Sequence, residues 1–117
     1  MRHLESKHIG VAQGDDVLFS DYEDGGDMWT GSGSRERRHS LKFPEHFKSP
    51  PVVHVSLSMW DMDSATNVRA DVSAEKITEK GFDVVFRTWA DTRVARARIL
   101  WTAIGEVFHD DDWQDVY

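Results

Sequence analysis

The chain has 117 residues, of which 21 are Asp or Glu and 14 are Lys or Arg, so its formal net charge is −7. This length suits one domain that buries about two-thirds of the surface of its unfolded chain, and the acidic balance argues against a general nucleic-acid binder. The lack of cysteine excludes disulfides, thiolate metal sites and cysteine catalysis. No run approaches the roughly 20 apolar residues of a membrane-spanning helix.

Charged residues are concentrated in blocks. Residues 15–27 hold six acids and no Lys or Arg, residues 35–48 hold five basic and two acidic residues, and residues 106–117 hold five acids and no base. Such blocks are either solvated faces or surfaces that neutralise each other within the chain or across an interface. We divide the chain into an N-terminal segment with a short strand and an acidic loop (1–28), a β-sandwich (29–105) and an acidic tail (106–117).

The pattern of apolar residues predicts an all-β fold. In chain order, strands are predicted at 17–19, 37–43, 50–59, 67–73, 82–89 and 94–103. Short strands separated by turns every eight to twelve residues are typical of a sandwich or barrel. No stretch has a convincing helical period, and the GSGS stretch is predicted to be a loop.

Alternation with a period of two carries the strand assignments. In the third predicted strand, which begins with two prolines, the apolar face is formed by Val53, Val55, Leu57 and Met59. In the last two strands, the predicted inward residues are Phe82, Val84 and Phe86, then Ala95, Ala97, Ile99, Trp101 and Ala103.

A calcium loop is the first candidate for metal chemistry. Asp61, Asp63 and Asn67 resemble the start of such a loop, but Thr66 and Val72 stand where it needs Gly and Glu. The six histidines are scattered without metal-ligand spacing. We therefore expect no metal site and no cofactor.

Catalysis has little support in the sequence. Ser32 and Ser34 lack the Gly-x-Ser-x-Gly pattern of a nucleophile elbow. Carboxylates are plentiful, yet no pair lies in an apolar setting that would raise a pKa for glycoside hydrolysis. The chain is therefore predicted not to be an enzyme.

Polar and aromatic residues gather at the ends of predicted strands. Arg69 lies on the polar face of its strand, Trp89 ends the next strand, and Asp91 follows in the turn. An aromatic ring packs on the apolar C–H face of a pyranose, while Arg and Asp form charge-assisted hydrogen bonds with its hydroxyls. The pattern is compatible with a carbohydrate site; it leaves open that Trp89 is a core residue and Arg69 an ion-pair partner.

Several spaced motifs in residues 35–105 are similar to the H-type lectin domain, known from snail agglutinins and the C-terminal part of the discoidins. RERRHSLKF and PPVVHVSLS resemble the family's second strand and its proline-led third. Asp61 with the Asn-Val-Arg of 67–69 resembles its Asp…Asn-x-Arg segment, and ITEKGFDVVFRTWADTRVARARILWTAIG resembles its Gly-Phe…Thr-Trp…Trp-x-x-Ile segment. The preceding DGGDMWTG resembles the lead-in loop of bacterial members.

The resemblance implies a six-stranded antiparallel β-sandwich that assembles as a homotrimer or a dimer of trimers. It implies binding of galactose or N-acetylgalactosamine in clefts between neighbouring subunits, and a role in glycan recognition such as cell adhesion. Three sites on one face would gain roughly 10²–10⁴ in avidity on a multivalent surface. Because MRHLESKHIG lacks the apolar core of a secretory signal, we expect cytoplasmic synthesis, with display at a cell or particle surface reached without such a signal.

The family's binding residues carry over in part. The Arg that hydrogen-bonds the sugar matches Arg69, and the Trp that lines the cleft matches Trp89. The family His beside the Trp falls at Ala90, and its Tyr falls at Ala95. The site implied by the resemblance therefore keeps its Arg and Trp and loses two ring side chains.

The first binding loop also departs from the family. Its Gly and Asp fall at Thr30 and Ser32, so the carboxylate that holds the galacto-configured hydroxyls is absent there. Replacing such an acceptor by Ser removes about 1.5–3 kcal/mol of charged hydrogen bonding. Asp27 and Asp91 are the candidates to compensate for it.

A trimer brings the basic residues of the last strand together. Val94, Arg96 and Arg98 are predicted on one strand face, where three copies would repel unless acids cross the interface. The candidate partners are Asp71, Glu75 and Asp83. An exposed basic face is the alternative.

Two other functions stay open. The departures at the sugar site favour a non-enzymatic trimeric adaptor, an attachment module of a phage-like or secreted assembly that has lost or altered sugar binding. A glycan-processing enzyme would instead need a close pair of carboxylates.

Overall fold

The computed structural model describes residues 1–109, which form two three-stranded antiparallel sheets packed against each other. The elements are β1 (Ile9–Phe19), α1 (Asp21–Asp24), α2 (Asp27–Thr30), β2 (Arg35–Lys42), β3 (Val52–Met62), β4 (Asp71–Glu75), β5 (Gly81–Thr88) and β6 (Val94–Glu106). The strand orders are β1-β6-β3 and β2-β5-β4. The predicted six-stranded antiparallel sandwich is therefore confirmed.

The two central strands supply most of the core. The inward face of β5 buries Phe82, Val84 and Phe86, and the predicted inward face of β6 is buried from Ala95 to Ala103. An aromatic cluster closes the end of the sandwich near the β2–β3 connection, where Trp101 contacts Phe82 with ring centroids 5.5 Å apart. The alternation in these strands predicted their faces because one side of each sheet meets the other sheet.

Two residues depart from that alternation. Val94 was predicted on the outward face of its strand with Arg96 and Arg98 but is fully buried at the start of β6. Val85 points outward yet is 0% exposed, and its cross-strand neighbours are Arg38 and Ser73. Long arginine side chains cover apolar surface with their methylene groups, which accounts for an outward valine without solvent contact.

The first strand is much longer than predicted. Only 17–19 was predicted, whereas β1 begins at Ile9 and pairs with β6 from Ile9↔Glu106 to Phe19↔Ala97. Glycines and acids interrupt its apolar period and hide it in the sequence. Gly14 lies opposite Trp101, and a Cβ at this position would lie 2.6 Å from the indole Nε1, so the large ring requires glycine here.

A register shift changes the face of one predicted core residue. The pairing of β3 with β6 shifts between Leu57 and Met59. Val53, Val55 and Leu57 pack against the core as predicted. The extra residue in the bulge places Met59 opposite the exposed Arg98, so its predicted inward position is wrong.

The fourth strand starts later than predicted. The prediction was 67–73, but β4 begins at Asp71 because side chains from the β5–β6 region bind the backbone before it. The hydroxyl of Thr92 accepts from the Arg69 N–H (3.1 Å) and donates to the Asn67 carbonyl (2.6 Å). The hydroxyl of Thr88 donates to the Arg69 carbonyl. These bonds hold residues 67–70 as a shaped loop.

The outward acids of the second sheet have partners within the chain. Arg38 pairs with Glu75 and Asp83, and Arg87 pairs with Glu75 and approaches Asp71. Glu75 and Asp83 therefore have arginine partners within one chain, and a crossing of these carboxylates to the last strand of another copy stays a prediction. On the other sheet, Arg96 pairs with Asp61 of the neighbouring strand at 3.1 Å.

Candidate functional site

Three connections meet at one end of the sandwich. They are the β1–β2 connection (20–34), the β3–β4 connection (63–70) and the β5–β6 connection (89–93). The Gly33 N–H donates to the Ala90 carbonyl at 2.8 Å, which joins the first connection to the third. The Asp63 N–H donates to the Arg93 carbonyl at 3.0 Å, which joins the second to the third.

A buried arginine fixes this end of the fold. Arg35 is 8% exposed and its guanidinium donates to the backbone carbonyls of Gly33, Asp27, Met28 and Thr92. Four bonds to carbonyl groups compensate for the loss of hydration. The loop that carries Ser32 is thereby held against the β5–β6 connection.

Arg69 and Asp91 form the charged part of the candidate site. An Arg69 Nη1 donates to Asp91 Oδ1 at 3.0 Å, and Asn67 donates to the same carboxylate from its backbone and its side chain. The bonds from Asn67, with the Arg69 charge, lower the pKa of Asp91 below its ordinary value. The pair therefore stays ionised in mildly acidic solution, and both side chains remain partly exposed to a ligand.

Trp89 begins the same connection that carries Asp91, and it is 40% exposed, so it is not a core residue. It lines an open cavity of about 720 Å³, together with Ser34 from the first connection and Ala70 from the second. The volume falls in the range of small-molecule sites. The structure thus brings Arg69, Asp91 and Trp89 to the same end of the molecule.

The remaining wall of the cavity was missed by sequence reasoning. Glu36, Arg87 and Asp71 are cross-strand neighbours in one row of the second sheet and all line this cavity. Arg87 Nη2 lies 3.0 Å from a Glu36 oxygen, and Arg87 Nη1 lies 4.0 Å from an Asp71 oxygen. In the sequence these residues are ordinary outward strand positions, and only the pairing register brings them together.

The other predicted site residues have different surroundings. Asp27 is engaged by Arg37, whose Nη2 lies 2.9 Å from its carboxylate. The Thr30 hydroxyl donates to the Gly26 carbonyl at 3.0 Å. Ser32 is exposed in the loop beside Gly33. Of the two acids named as replacements for the missing loop carboxylate, Asp91 is therefore the one beside Arg69.

The positions of the missing family rings are shaped by the backbone. Ala90 has a φ of 61°, the left-handed conformation that side chains with a Cβ seldom adopt, and it is exposed next to Trp89. Ala95 is 5% exposed and starts the buried face of β6.

The described part of the chain, residues 1–109, contains no group of three or more His, Cys, Asp or Glu side chains placed to hold a metal ion. Within the same range, no helix has the length and apolar character needed to cross a membrane.

Comparison with known proteins identifies relatives of this architecture. The model of the H-type lectin domain matches residues 38–104. A protein of Fuscovulum blasticum named ATP synthase subunits region ORF 7 is 58% identical over 106 residues, which are 91% of this chain and 92% of that protein. Two discoidin-1 polypeptides of Dictyostelium discoideum are each 41% identical over 78 residues, which are 64% of this chain and 31% of those proteins.

A solved structure has the same fold. Native recombinant discoidin II of Dictyostelium discoideum superposes with a TM-score of 0.71 and 27% identity, covering 85% of this chain and 38% of that one. The chain thus spans about a third of the length of the discoidins that it matches.

Proposed function

Because this chain belongs to the H-type lectin domain family, we propose that it is a non-enzymatic lectin for galactose- or N-acetylgalactosamine-type surface glycans. The family and its discoidin relatives support a carbohydrate-binding role. The sugar, and a function in cell adhesion or recognition, belong to the proposal.

The observation that carries the proposal is that the half-exposed indole of Trp89 and the Arg69–Asp91 pair lie at the same end of the sandwich. The indole provides an apolar surface for the C–H face of a pyranose. The guanidinium donates to sugar oxygens, and the carboxylate accepts from two neighbouring hydroxyls. In this arrangement Asp91 takes the place of the acid that the first binding loop lacks at Ser32, with Thr30 and Asp27 at the margin.

We extend the proposal to a homotrimer, or a dimer of trimers, with the sugar in a cleft between subunits. The outward face of the β1-β6-β3 sheet supports assembly, since Val11, Ile104 and Val52 form one exposed cross-strand row. Contiguous exposed apolar rows mark interaction surfaces in proteins.

An adaptor is the second candidate function. The Thr30 hydroxyl donates its hydrogen bond to the Gly26 carbonyl, and Ala90 and Ala95 lack the ring side chains of the family. A trimeric module that attaches to a larger assembly would keep the sandwich and the outward face while losing the sugar site. This candidate predicts a folded oligomer that binds no glycan.

Glycan-array binding of the wild-type protein and of Arg69→Ala tests the proposal. We expect wild type to bind a coherent set of galactose- or N-acetylgalactosamine-terminated glycans, and the variant to bind none of them while keeping its circular dichroism spectrum. Arg38→Ala is the matched control, because Arg38 is also an ion-paired arginine, but its partners are Glu75 and Asp83 rather than Asp91. Equal binding by Arg69→Ala and wild type would contradict the site, and a folded wild type without glycan binding would favour the adaptor.

A further inference from the structure

We propose that the cavity between Trp89 and the Glu36–Arg87–Asp71 row binds the second sugar of an oligosaccharide, and that this sugar is a neutral pyranose. The inference rests on the proposed function, because it requires a terminal sugar at Arg69 and Asp91. It adds a specificity: extension by a neutral sugar strengthens binding, whereas extension by a uronic or sialic acid does not.

Position supports the proposal. Ala70 and Asp71 line the cavity and directly follow Arg69 in the chain, and the Thr88 hydroxyl holds the Arg69 carbonyl against the end of β5. Trp89, which directly follows Thr88, lines the same cavity, so the cavity adjoins the backbone that carries Arg69. In the proposed arrangement, a ligand longer than one sugar that is bound at Arg69 reaches the cavity along Ala70 and Asp71, where the indole of Trp89 is available for packing.

The supply of donors and acceptors in the wall favours hydroxyl groups as ligands. Arg87 is surrounded by acids, since Nη2 contacts both Glu36 (3.0 Å) and Glu75 (2.9 Å). Asp71 lies 4.0 Å from this guanidinium, beyond hydrogen-bond distance, and its side chain is exposed. The cavity thus presents carboxylate oxygens with spare lone pairs, which accept from neighbouring hydroxyls of a pyranose.

The same wall disfavours an acidic sugar. The guanidinium of Arg35 already donates four hydrogen bonds to backbone carbonyls, and that of Arg87 is already paired with acids. A sugar carboxylate in the cavity would face Glu36 and Asp71 without an available guanidinium. Because like charges in one cavity repel each other, the Glu36–Arg87–Asp71 row selects against uronic and sialic acids.

The test is a panel of matched glycans. Galactose, N-acetylgalactosamine, glucose, N-acetylglucosamine, mannose and fucose are each presented alone, extended by galactose, and extended by glucuronic acid. Wild type is compared with the double variant Glu36→Gln/Asp71→Asn. The control is Asp24→Asn/Glu45→Gln, which removes the same charge at exposed positions that do not line the cavity.

We expect the galactose extension to improve wild-type affinity about tenfold, the order of one charge-assisted hydrogen bond. The double variant should lose this gain and keep its affinity for the single sugar, and the control should behave as wild type. A gain that persists in the double variant, or a larger gain with glucuronic acid, overturns the second-sugar site alone. Absence of binding to every glycan by wild type overturns the proposed function, and the second-sugar site with it.

If the double variant loses its folded circular dichroism spectrum, the single variants Glu36→Gln and Asp71→Asn replace it. Both act on solvent-exposed ion pairs, which contribute little to stability. We expect each single variant to lose part of the affinity gained on galactose extension and to keep its affinity for the single sugar. If both single variants keep the full gain, the second-sugar site is overturned.

Discussion

At the scale of single residues, a few charged side chains give the loop end of the sandwich its shape. The Arg93 guanidinium lies 4.1 Å from the centroid of the Trp29 ring, donates to the Trp29 carbonyl and pairs with Asp63. Together with Arg35, it joins all three connections to one another. These contacts position the connections that carry Arg69 and Asp91 relative to each other.

Asp21 is a buried acid in this group of charged residues. Its side chain is 5% exposed, accepts from the Met28 N–H at 2.9 Å and receives two bonds from Arg37. We expect Asp21→Ala to lower the free energy of unfolding by about 1.5–3 kcal/mol, because buried hydrogen bonds to a charged group are lost. Urea denaturation measures this change.

Asp24→Ala is the matched control for Asp21→Ala, since Asp24 lies on the same short helix but is exposed. Its change should stay within about 0.5 kcal/mol of wild type. Equal stability losses in the two variants would show that Asp21 does not anchor this segment.

Trp89 tests the aromatic part of the site. We expect Trp89→Ala to weaken glycan binding by about 1–2 kcal/mol, because the variant loses the apolar surface on which the sugar packs. Trp89→Phe should retain part of the affinity. Isothermal titration calorimetry with the best glycan of the array measures both.

The control for Trp89→Ala is Trp60→Ala, which removes another exposed indole from a strand outside the cavity. Unchanged affinity in Trp89→Ala, or an equal loss in Trp60→Ala, would contradict the role of Trp89. A circular dichroism spectrum recorded for each variant separates loss of binding from loss of fold.

At the scale of elements, the outward face of the β2-β5-β4 sheet is organised by acid–arginine pairs. The hydrogen bond from Arg87 lowers the pKa of Glu75, and the Ser40 hydroxyl, with Arg38, lowers the pKa of Asp83. A carboxyl whose pKa is lower in the folded state stabilises the fold above its unfolded pKa, about 4. This stabilisation is lost as the pH falls through the folded pKa.

We therefore expect the thermal unfolding midpoint of wild type to fall steeply below about pH 4. The midpoint of Glu75→Gln/Asp83→Asn should fall less, because these two groups no longer take up protons. Differential scanning calorimetry between pH 2 and 6 compares the two slopes. Identical slopes would show that this cluster does not contribute to the acid sensitivity of the fold.

Elements were predictable from sequence where one face meets the core and the other meets water. β6 satisfies this condition from Ala95 onward and β5 satisfies it except at Val85, and the alternation of both strands appears in the sequence. β1 does not, because Gly14 accommodates Trp101 and acids occupy neighbouring positions. The two helices span four residues each, which is about one turn and too short to establish a period.

The candidate site divides in the same way. Arg69, Trp89 and Asp91 are close in sequence to strand ends, so their placement at one end of the sandwich could be predicted. The Glu36–Arg87–Asp71 row depends on the register of three strands, and the bulge that turns Met59 outward depends on local hydrogen bonding. Neither leaves a signature in residue types alone.

At the scale of the whole molecule, the two outward sheet faces differ in chemistry. One is covered by the ion pairs of Arg38 and Arg87. The other exposes aliphatic side chains, and Ile104 lies at the centre of its apolar row, between Val11 and Val52. The second face is the one suited to contact further copies of the chain. The exposed Arg98 of β6 belongs to the same sheet.

We expect Ile104→Glu to convert the proposed trimer of 13.4 kDa chains into monomers, because three buried carboxylates would meet near the symmetry axis. Ile104 is 39% exposed in one chain, so the sandwich itself should remain folded. Sedimentation velocity measures the mass. Tyr22→Glu, at an exposed position on α1, is the control and should keep the wild-type mass.

The loss of assembly should also appear in binding. Retention of Ile104→Glu on a densely glycosylated surface should drop by roughly 10²–10⁴, the avidity of a multivalent protein. If the sugar lies between neighbouring copies, affinity for the soluble single sugar falls as well; if one chain holds the whole site, only the avidity is lost. A monomeric wild type, or a variant with wild-type mass, would contradict the use of this face, because closed assembly through it requires every copy to present the same apolar row.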